Sequence, residues 1–172
     1  MEETLVLIKP EGVSRGLIGE IVSRIERAGL QIVGMKMMQV SRDLAEKHYP
    51  LTEEWYNNVY TKTKAFMDKK GIPMDETPLE LGQKIQSWLV NHITEGPIIA
   101  MVVRGNCAVE SMRKLAGHTE PRQALPGTIR GDYSTDSYSL ADKEKRAIRS
   151  IIHASDAVET AKKEIALWFK KA

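Results

Sequence analysis

His153 has the clearest capacity for covalent chemistry in this chain. It follows two isoleucines in the segment RSIIHASD, residues 149–156, which places it at the end of a short buried strand. A neutral imidazole, with an ordinary pKa of about 6.5, forms a phosphorylated intermediate that divides one difficult transfer into two easier ones. The alternative is a structural histidine between this strand and a helix that Ser155 and Asp156 would cap. From these residues alone, both interpretations of His153 remain open.

Three cationic side chains lie in sequence contexts where a bound polyanion would explain them. Lys9 ends the apolar run TLVLI, so a ligand charge there would offset its desolvation. Arg130 lies between two glycines in PGTIRGDY, so a ligand can approach the backbone closely there. Its guanidinium can donate two parallel hydrogen bonds to phosphate. Arg113 and Thr119 flank the end of a helix and the start of a long loop. Each residue taken alone is typical of a solvated surface, but with Mg²⁺ the three cations would roughly balance a nucleoside triphosphate of charge about −4.

Glycine motifs that bind phosphate through the backbone are absent from the sequence, both the P-loop type and the dinucleotide type. A nucleotide site would therefore have to be built from side chains.

Length and charge limit the class of protein. The 172 residues predict one domain, and 25 basic against 23 acidic side chains give a net charge of +2 that favours neither nucleic acid nor a membrane surface. The single Cys107 excludes an intramolecular disulfide. The acidic start MEET is unlike a signal peptide, and the longest apolar run, IIAMVV, is too short to span a bilayer. We therefore expect a cytoplasmic protein with no membrane segment.

Apolar runs alternate with amphipathic stretches, and their order predicts the fold. Strands are expected at 4–10, 31–40, 96–103 and 150–153, and the main helices at 16–30, 78–93, 108–117 and 156–169. Ser41 and the pattern Thr77-Pro78-x-Glu80 predict helix starts, 118–139 a long loop, and 142–149 a short helix. Met35 to Met38 are expected in the core of the second strand. The order predicts an α+β, ferredoxin-like βαββαβ fold: a four-stranded antiparallel sheet with helices on its faces and extra helices between strands 2 and 3.

Six motifs in order resemble the nucleoside diphosphate kinase family. They are TLVLIKPEGVSRGLIGEIVSRIERAGLQIVGMKM, HY at 48–49, GPIIAMVVRG, PGTIRGDY, IIHASD and KKEIALWF. The resemblance covers nearly the whole chain except about 50–84 and 134–148. These are interpreted as an enlarged helical segment and an extra segment within one domain of residues 1–172, as in the longer forms associated with archaeal members.

The resemblance implies a ping-pong kinase of low base selectivity, in which His153 takes the γ-phosphoryl group from a nucleoside triphosphate and passes it to a diphosphate. Glu164 would orient His153 with support from Ser155, and Tyr49 would lie near the phosphohistidine. Lys9 would contact phosphate and the ribose 3′-hydroxyl. The other residues implied to bind substrate are Arg113, Thr119 and Arg130.

The family comparison also implies partners and departures. It implies ATP and other nucleoside tri- and diphosphates as ligands, Mg²⁺ held mainly by phosphates and water, and self-association as a hexamer or a tetramer of dimers. Ser150 replaces the family asparagine of the histidine motif, and Ile85 replaces the phenylalanine that stacks on the base. Leu89 matches a family apolar contact, while Trp88 or a tyrosine of the enlarged segment are the alternatives for stacking.

Two other classes of function are weighed against this one. A catalytically weak nucleotide-binding module would not need His153, Lys9, Arg113, Arg130 and Glu164 together. A nucleic-acid-binding module using KEKRAIR would be expected to carry more net charge and interleaved aromatic residues. The remaining histidines, His48, His92 and His118, are predicted to have surface or packing roles.

Overall fold

Four strands form one antiparallel sheet in the order β2-β3-β1-β4. This computed structural model describes residues 1–169, with Lys70 described by its backbone alone. The strands are β1 Glu2–Ile8, β2 Gln31–Gln39, β3 Pro97–Gly105 and β4 Ile152–Ala154. The order and the crossovers confirm the predicted ferredoxin-like α+β fold.

Helices cover both faces of the sheet. They are α1 Pro10–Ser14, α2 Ile18–Arg27, α3 Arg42–His48, α4 Glu53–Lys70, α5 Pro78–Thr94, α6 Ala108–Ala116, α7 Ile129–Tyr133, α8 Tyr138–Lys143 and α9 Val158–Trp168, with a 3-10 turn at Pro121–Gln123. The predicted extra helices between strands 2 and 3 are α3, α4 and α5. None of the described helices combines the length and apolarity needed to cross a bilayer.

The central strand β1 is buried on both faces, which explains its continuous apolar run. Val6 and Ile8 pack with α2 and α6 on one face, while Leu5 and Leu7 pack with α5 and α9 on the other. Lys9 directly follows β1. Because β1 packs in a hydrophobic core on each face, the backbone position of Lys9 is fixed.

Local capping signals predicted two helix starts correctly. The Ser41 hydroxyl accepts a hydrogen bond from the Leu44 N–H at the start of α3. Thr77 and Glu80 form a reciprocal capping box at the start of α5.

The segment before β4 differs from the prediction. The helix expected at 142–149 is wrong, since α8 ends at Lys143 and Lys145 has a positive φ of 54°. The last strand begins at Ile152 rather than at 150, because Ile151 has φ of 64° and cannot extend the strand. The expected loop at 118–139 also contains α7 and the start of α8.

The edge strand β2 carries exposed methionines, so the assignment of Met35 and Met37 to the core was wrong, whereas Met38 is partly buried against the core. Met35 is 55% exposed and Met37 is 58% exposed, and they pair in register with the buried Met101 and Ile99 of β3. The helices cover the central strands and leave this side of the edge strand uncovered. An apolar strip therefore continues from the core to the protein surface.

Candidate active site

A cavity of about 1380 Å³ opens beside the end of β4. Every residue assigned to the site from the sequence lines it: Lys9, Tyr49, Ile85, Leu89, Arg113, Thr119, Arg130, Ser150, His153 and Glu164. Because these residues come from strands, helices and loops far apart in the chain, their convergence is a product of the fold.

His153 lies in β4 opposite Leu7 of β1 and is 22% exposed at its side chain. Its Nε2 atom lies 3.1 Å from the carboxylate of Glu164 on α9. A nitrogen that faces a carboxylate carries the ring proton, which leaves the lone pair of a neutral imidazole on Nδ1. In the neutral ring, the contact therefore leaves Nδ1 as the nitrogen with an available lone pair.

Glu164 is itself held in place by Ser155. The Ser155 hydroxyl donates to Glu164 Oε2 at 2.6 Å and accepts from the backbone N–H of Leu5 at 3.2 Å. Burial would raise the pKa of Glu164, but the hydrogen bond and charge of His153 lower it, so the carboxylate is ionised. The expected capping role of Ser155 and Asp156 is wrong, since Ala157 occupies the N-cap of α9 without a side-chain cap.

Lys9 is almost fully buried and donates from Nζ to the Ser150 hydroxyl at 2.9 Å. Burial lowers the pKa of Lys9 to about 8, although the nearby charge of Glu11 opposes this shift. A buried ammonium with one neutral acceptor has capacity for an anionic ligand.

Arg130 is buried and donates to three backbone carbonyls. Its guanidinium reaches Ser150 O at 3.2 Å, Ile152 O at 2.8 Å and Gly117 O at 2.7 Å. Burial, together with the charge of Arg113, lowers the pKa of Arg130 to about 10. Arg130 therefore fixes the backbone on both sides of Ile151, and its role as a phosphate ligand stays a prediction.

Arg113 and Thr119 are exposed at the mouth of the cavity. Their side chains are thus accessible to a ligand, and their role in substrate binding stays a prediction.

His48 is buried against the candidate nucleophile. Its ring centroid lies 4.7 Å from that of His153 and 4.6 Å from that of Tyr49, and its Nδ1 accepts from Trp168 Nε1 at 3.2 Å. Burial lowers the pKa of His48 to about 3 and raises that of Tyr49. His48, His153 and Glu164 also come within 4.8 Å of one another as candidate metal ligands. Trp168 occupies His48 Nδ1 and Glu164 occupies His153 Nε2, while His48 Nε2 is buried without a hydrogen-bond partner. The ring contacts of His48 with His153, Tyr49 and Trp168 identify it as part of a packed wall behind His153.

Comparison with known proteins decides the family. The family model described as "Nucleoside diphosphate kinase" matches residues 2–74 and 80–172. The chain belongs to the nucleoside diphosphate kinase family. The relative of that name from Pyrobaculum aerophilum is 46% identical over 99% of this chain and 96% of its own length, and that from Synechocystis is 44% identical over 99% and 89%.

Solved structures agree in fold over the whole chain. The crystal structure of an NDP kinase from Pyrobaculum aerophilum matches with a TM-score of 0.93 at 44% identity, covering 99% of this chain and 96% of that one. A transition-state mimic of nucleoside-diphosphate kinase from Borrelia burgdorferi, with bound vanadate and ADP, matches with a TM-score of 0.80 at 38% identity, covering 99% and 88%. The chain is thus a kinase that transfers the γ-phosphoryl group of a nucleoside triphosphate to a nucleoside diphosphate.

Within this kinase, the two extra segments line the same cavity as Ile85 and Leu89. Trp55 and Phe66 of α4 and Tyr138 of α8 contribute to the wall, and the rings of Phe66 and Tyr138 lie 6.3 Å apart. Among the alternatives for base stacking, Trp88 lines the cavity, whereas Tyr56 and Tyr60 are not among its described lining residues. The extra segments therefore meet at the part of the cavity wall that also contains Ile85 and Leu89.

Sequence reasoning missed Glu11 and His92, which form a buried pair next to the site. His92 Nε2 lies 2.7 Å from Glu11 Oε2, although the residues are far apart in the chain. The one available signal was the acidic side chain two residues after Lys9 at the end of a buried strand.

Proposed function

We propose that His153 carries the phosphoryl group between the two nucleotides. The observation that supports this most directly is the Glu164 contact at Nε2, which leaves the lone pair on Nδ1. In the first half-reaction, Nδ1 attacks the γ-phosphorus and the bond to the β–γ bridging oxygen breaks, releasing the diphosphate. In the second, a β-phosphate oxygen of the acceptor attacks phosphorus, and the P–N electron pair returns to Nδ1.

Glu164 stabilises the positive charge that develops on the imidazole as the P–N bond forms. It is ionised and lies 3.1 Å from Nε2, so the stabilising charge is in place before reaction. Ser155 limits the movement of Glu164, and the ring of His48 packs against His153. The imidazole therefore needs little reorganisation between the two half-reactions.

The substrate polyphosphate would be bound by Lys9, Arg113, Thr119 and Arg130, which all face one cavity. Phosphoryl transfer depends mainly on positioning and charge stabilisation, which such a cluster supplies. Lys9, beside Ser150, would contact phosphate and the ribose 3′-hydroxyl, and Tyr49 would form part of the phosphohistidine pocket. Ile85 and Leu89 would contact the base through apolar surface, which is consistent with low base selectivity.

Mg²⁺ is the divalent ion that we propose for this reaction. The residues proposed to bind the polyphosphate include the cations Lys9, Arg113 and Arg130, so the ion would be held mainly by phosphate oxygens and water. The exposed carboxylate of Asp156, which lines the same cavity, would be an oxygen ligand from the chain. When bound, the ion neutralises phosphate charge.

We also propose that one domain of residues 1–172 carries this activity in the cytoplasm, as a hexamer or a tetramer of dimers. The exposed apolar side chains of Val33, Met35 and Met37 on β2 support self-association.

Labelling with γ-³²P-ATP and Mg²⁺ tests the mechanism. The protein should take up an acid-labile, base-stable phosphate that ADP or GDP then discharges, and His153→Ala should abolish the label. If His153→Ala exchanged phosphate between GTP and ADP at the original rate, the assignment of the nucleophile would be wrong.

A further inference from the structure

The backbone just before the nucleophile forms a strained turn at Ile151. The Ile152 N–H donates to the Ser150 carbonyl at 2.6 Å, which closes a three-residue γ-turn with Ile151 at φ of 64°. Positive φ is unfavourable for a β-branched side chain, and Ile151 is fully buried. Such a conformation persists only where surrounding contacts hold it.

The turn must be held from outside because β4 is short. β4 has three residues and lies at the edge of the sheet, paired with β1 through Ile152, His153 and Ala154. The strand ladder therefore fixes His153 on one side only, and the segment before it depends on other groups.

Glu11 supplies one of these groups. Its Oε1 accepts the Ile151 N–H at 2.7 Å, while the Lys9 N–H donates to the Ile151 carbonyl at 2.8 Å. A β-carbon at Gly12 would lie 3.2 Å from Ile151 Cγ2 and 3.3 Å from Ile151 O, so the helix α1 that carries Glu11 packs directly against the turn. Glu11 thus satisfies the one N–H that the strained residue presents to the interior.

His92 orients the Glu11 carboxylate. Its Nε2 lies 2.7 Å from Glu11 Oε2, and both side chains are more than nine-tenths buried. Burial would raise the pKa of Glu11, but the hydrogen bond and charge of His92 and the charge of Lys9 lower it to about 2. The carboxylate is therefore ionised, and each of its oxygens accepts from a different partner.

We propose that Glu11, oriented by His92, is a positioning residue for phosphoryl transfer. Glu11 holds the γ-turn at Ile151 in one conformation. This conformation sets the position of His153, which follows the turn, and places the Ser150 hydroxyl against Lys9. The proposal rests on the proposed role of His153 as nucleophile. Because the turn mainly sets geometry, loss of Glu11 should slow the chemical step more than it weakens nucleotide affinity, to which its charge beside Lys9 also contributes.

Single-turnover formation of phosphohistidine from γ-³²P-ATP tests this inference. Glu11→Ala should lower the rate at saturating ATP about 10- to 100-fold, a larger change than the one in apparent affinity for ATP, which the lost charge beside Lys9 also lowers. Glu11→Gln should retain most of the rate, since its amide oxygen can still accept the Ile151 N–H. His92→Phe should cause a smaller fall than Glu11→Ala, and it carries the test if Glu11→Ala does not fold.

A double-mutant cycle separates positioning from a general structural role. Glycine takes positive φ without penalty, so in the Ile151→Gly background the rate loss from Glu11→Ala should shrink at least about threefold. Glu3→Ala is the matched control, because Glu3 is a carboxylate on β1 that pairs with Arg104 at 2.6 Å at the far end of the strand. It should leave the single-turnover rate unchanged.

Three results would overturn the inference. They are an unchanged rate in Glu11→Ala, a loss confined to ATP affinity, or an equal rate loss with and without Ile151→Gly. Labelling of His153→Ala in the same assay distinguishes this failure from failure of the proposed function. If His153→Ala is unlabelled while Glu11→Ala is labelled at the original rate, only the positioning role is wrong.

Discussion

At the scale of single residues, the charge of Lys9 is the property that the site controls most directly. Its ammonium is buried beside a neutral hydroxyl, with Glu11 as a nearby opposite charge, and burial dominates the balance. Under the proposed function, a bound polyphosphate would add negative charge next to Lys9 and so favour its protonated form. The pKa of Lys9 should therefore be higher in the nucleotide-bound enzyme than in the free enzyme.

The pH dependence of steady-state kinetics tests this expectation. Because burial lowers the pKa of Lys9 to about 8, kcat/KM should fall as the pH rises through about 8, where the free enzyme loses the positive charge. The alkaline limb of kcat should lie at higher pH, since bound phosphate raises the pKa. Lys9→Arg should lack both limbs in this range, because a guanidinium stays protonated. Coincident limbs for kcat and kcat/KM would contradict the assignment.

Ser150 provides a second prediction at this scale. Its hydroxyl accepts from Lys9 Nζ at 2.9 Å, so Ser150→Ala leaves a buried ammonium without that acceptor. We expect the free energy of unfolding to fall by about 1–3 kcal/mol at neutral pH and the KM for nucleotide to rise. Ser111→Ala is the control, because its hydroxyl lies on the surface of α6 and its loss should change stability by less than about 0.5 kcal/mol. Equal unfolding curves for the two variants, measured in urea, would contradict the role of Ser150.

Residue types and the family resemblance together predicted side chains that line one cavity, but the sequence could not reveal the partners of these side chains. Lys9 and Ser150 are 141 positions apart, and their contact exists only because β1 ends next to the turn before β4. Glu11 was missed for the same reason, since its two hydrogen-bond partners follow it by 81 and 140 positions.

At the scale of secondary-structure elements, the sequence predicted a helix start correctly where the capping side chain bonds with residues a few positions away. Thr77 and Glu80 are three positions apart, and their capping box forms as predicted. Ser155 was also predicted to cap a helix, yet its hydroxyl bonds instead with Leu5 and Glu164 from other elements. The γ-turn at Ile151 has no sequence signal, because isoleucine is typical of a strand and surrounding contacts impose the positive φ.

The capping box of α5 gives a prediction for a whole element. α5 carries Ile85 and Leu89 of the cavity wall and His92 of the Glu11–His92 pair, so its first turn supports both. Thr77→Ala should lower the free energy of unfolding by about 0.5–2 kcal/mol, because the Glu80 N–H loses its acceptor.

Thr61→Ala is the matched control for this change. Thr61 lies within α4 and bonds a carbonyl of its own helix, so alanine there should not destabilise the fold. A thermal or urea transition of Thr77→Ala that matched the original protein would show that the cap does not stabilise α5.

At the scale of the whole molecule, the edge strand β2 departs most from the sequence prediction. Alternation in QIVGMKMM predicts a strand with a buried face, but it does not reveal that the strand lies at the sheet edge. Val33, Met35 and Met37 stay 43–58% exposed there. An apolar edge with unpaired backbone groups is a surface that a second copy can cover.

Charge placed on this strip should therefore reduce the size of the assembly. Met35→Lys would put an ammonium into the interface, where burial without a partner is strongly unfavourable, while in the separate chain the same side chain is solvated. We expect light scattering coupled to gel filtration to show a smaller species for Met35→Lys than for the original protein. Leu79→Lys is the control, since Leu79 is 44% exposed at the start of α5 and away from β2. If both variants kept the original mass at micromolar concentration, β2 would not be the surface through which the chains associate.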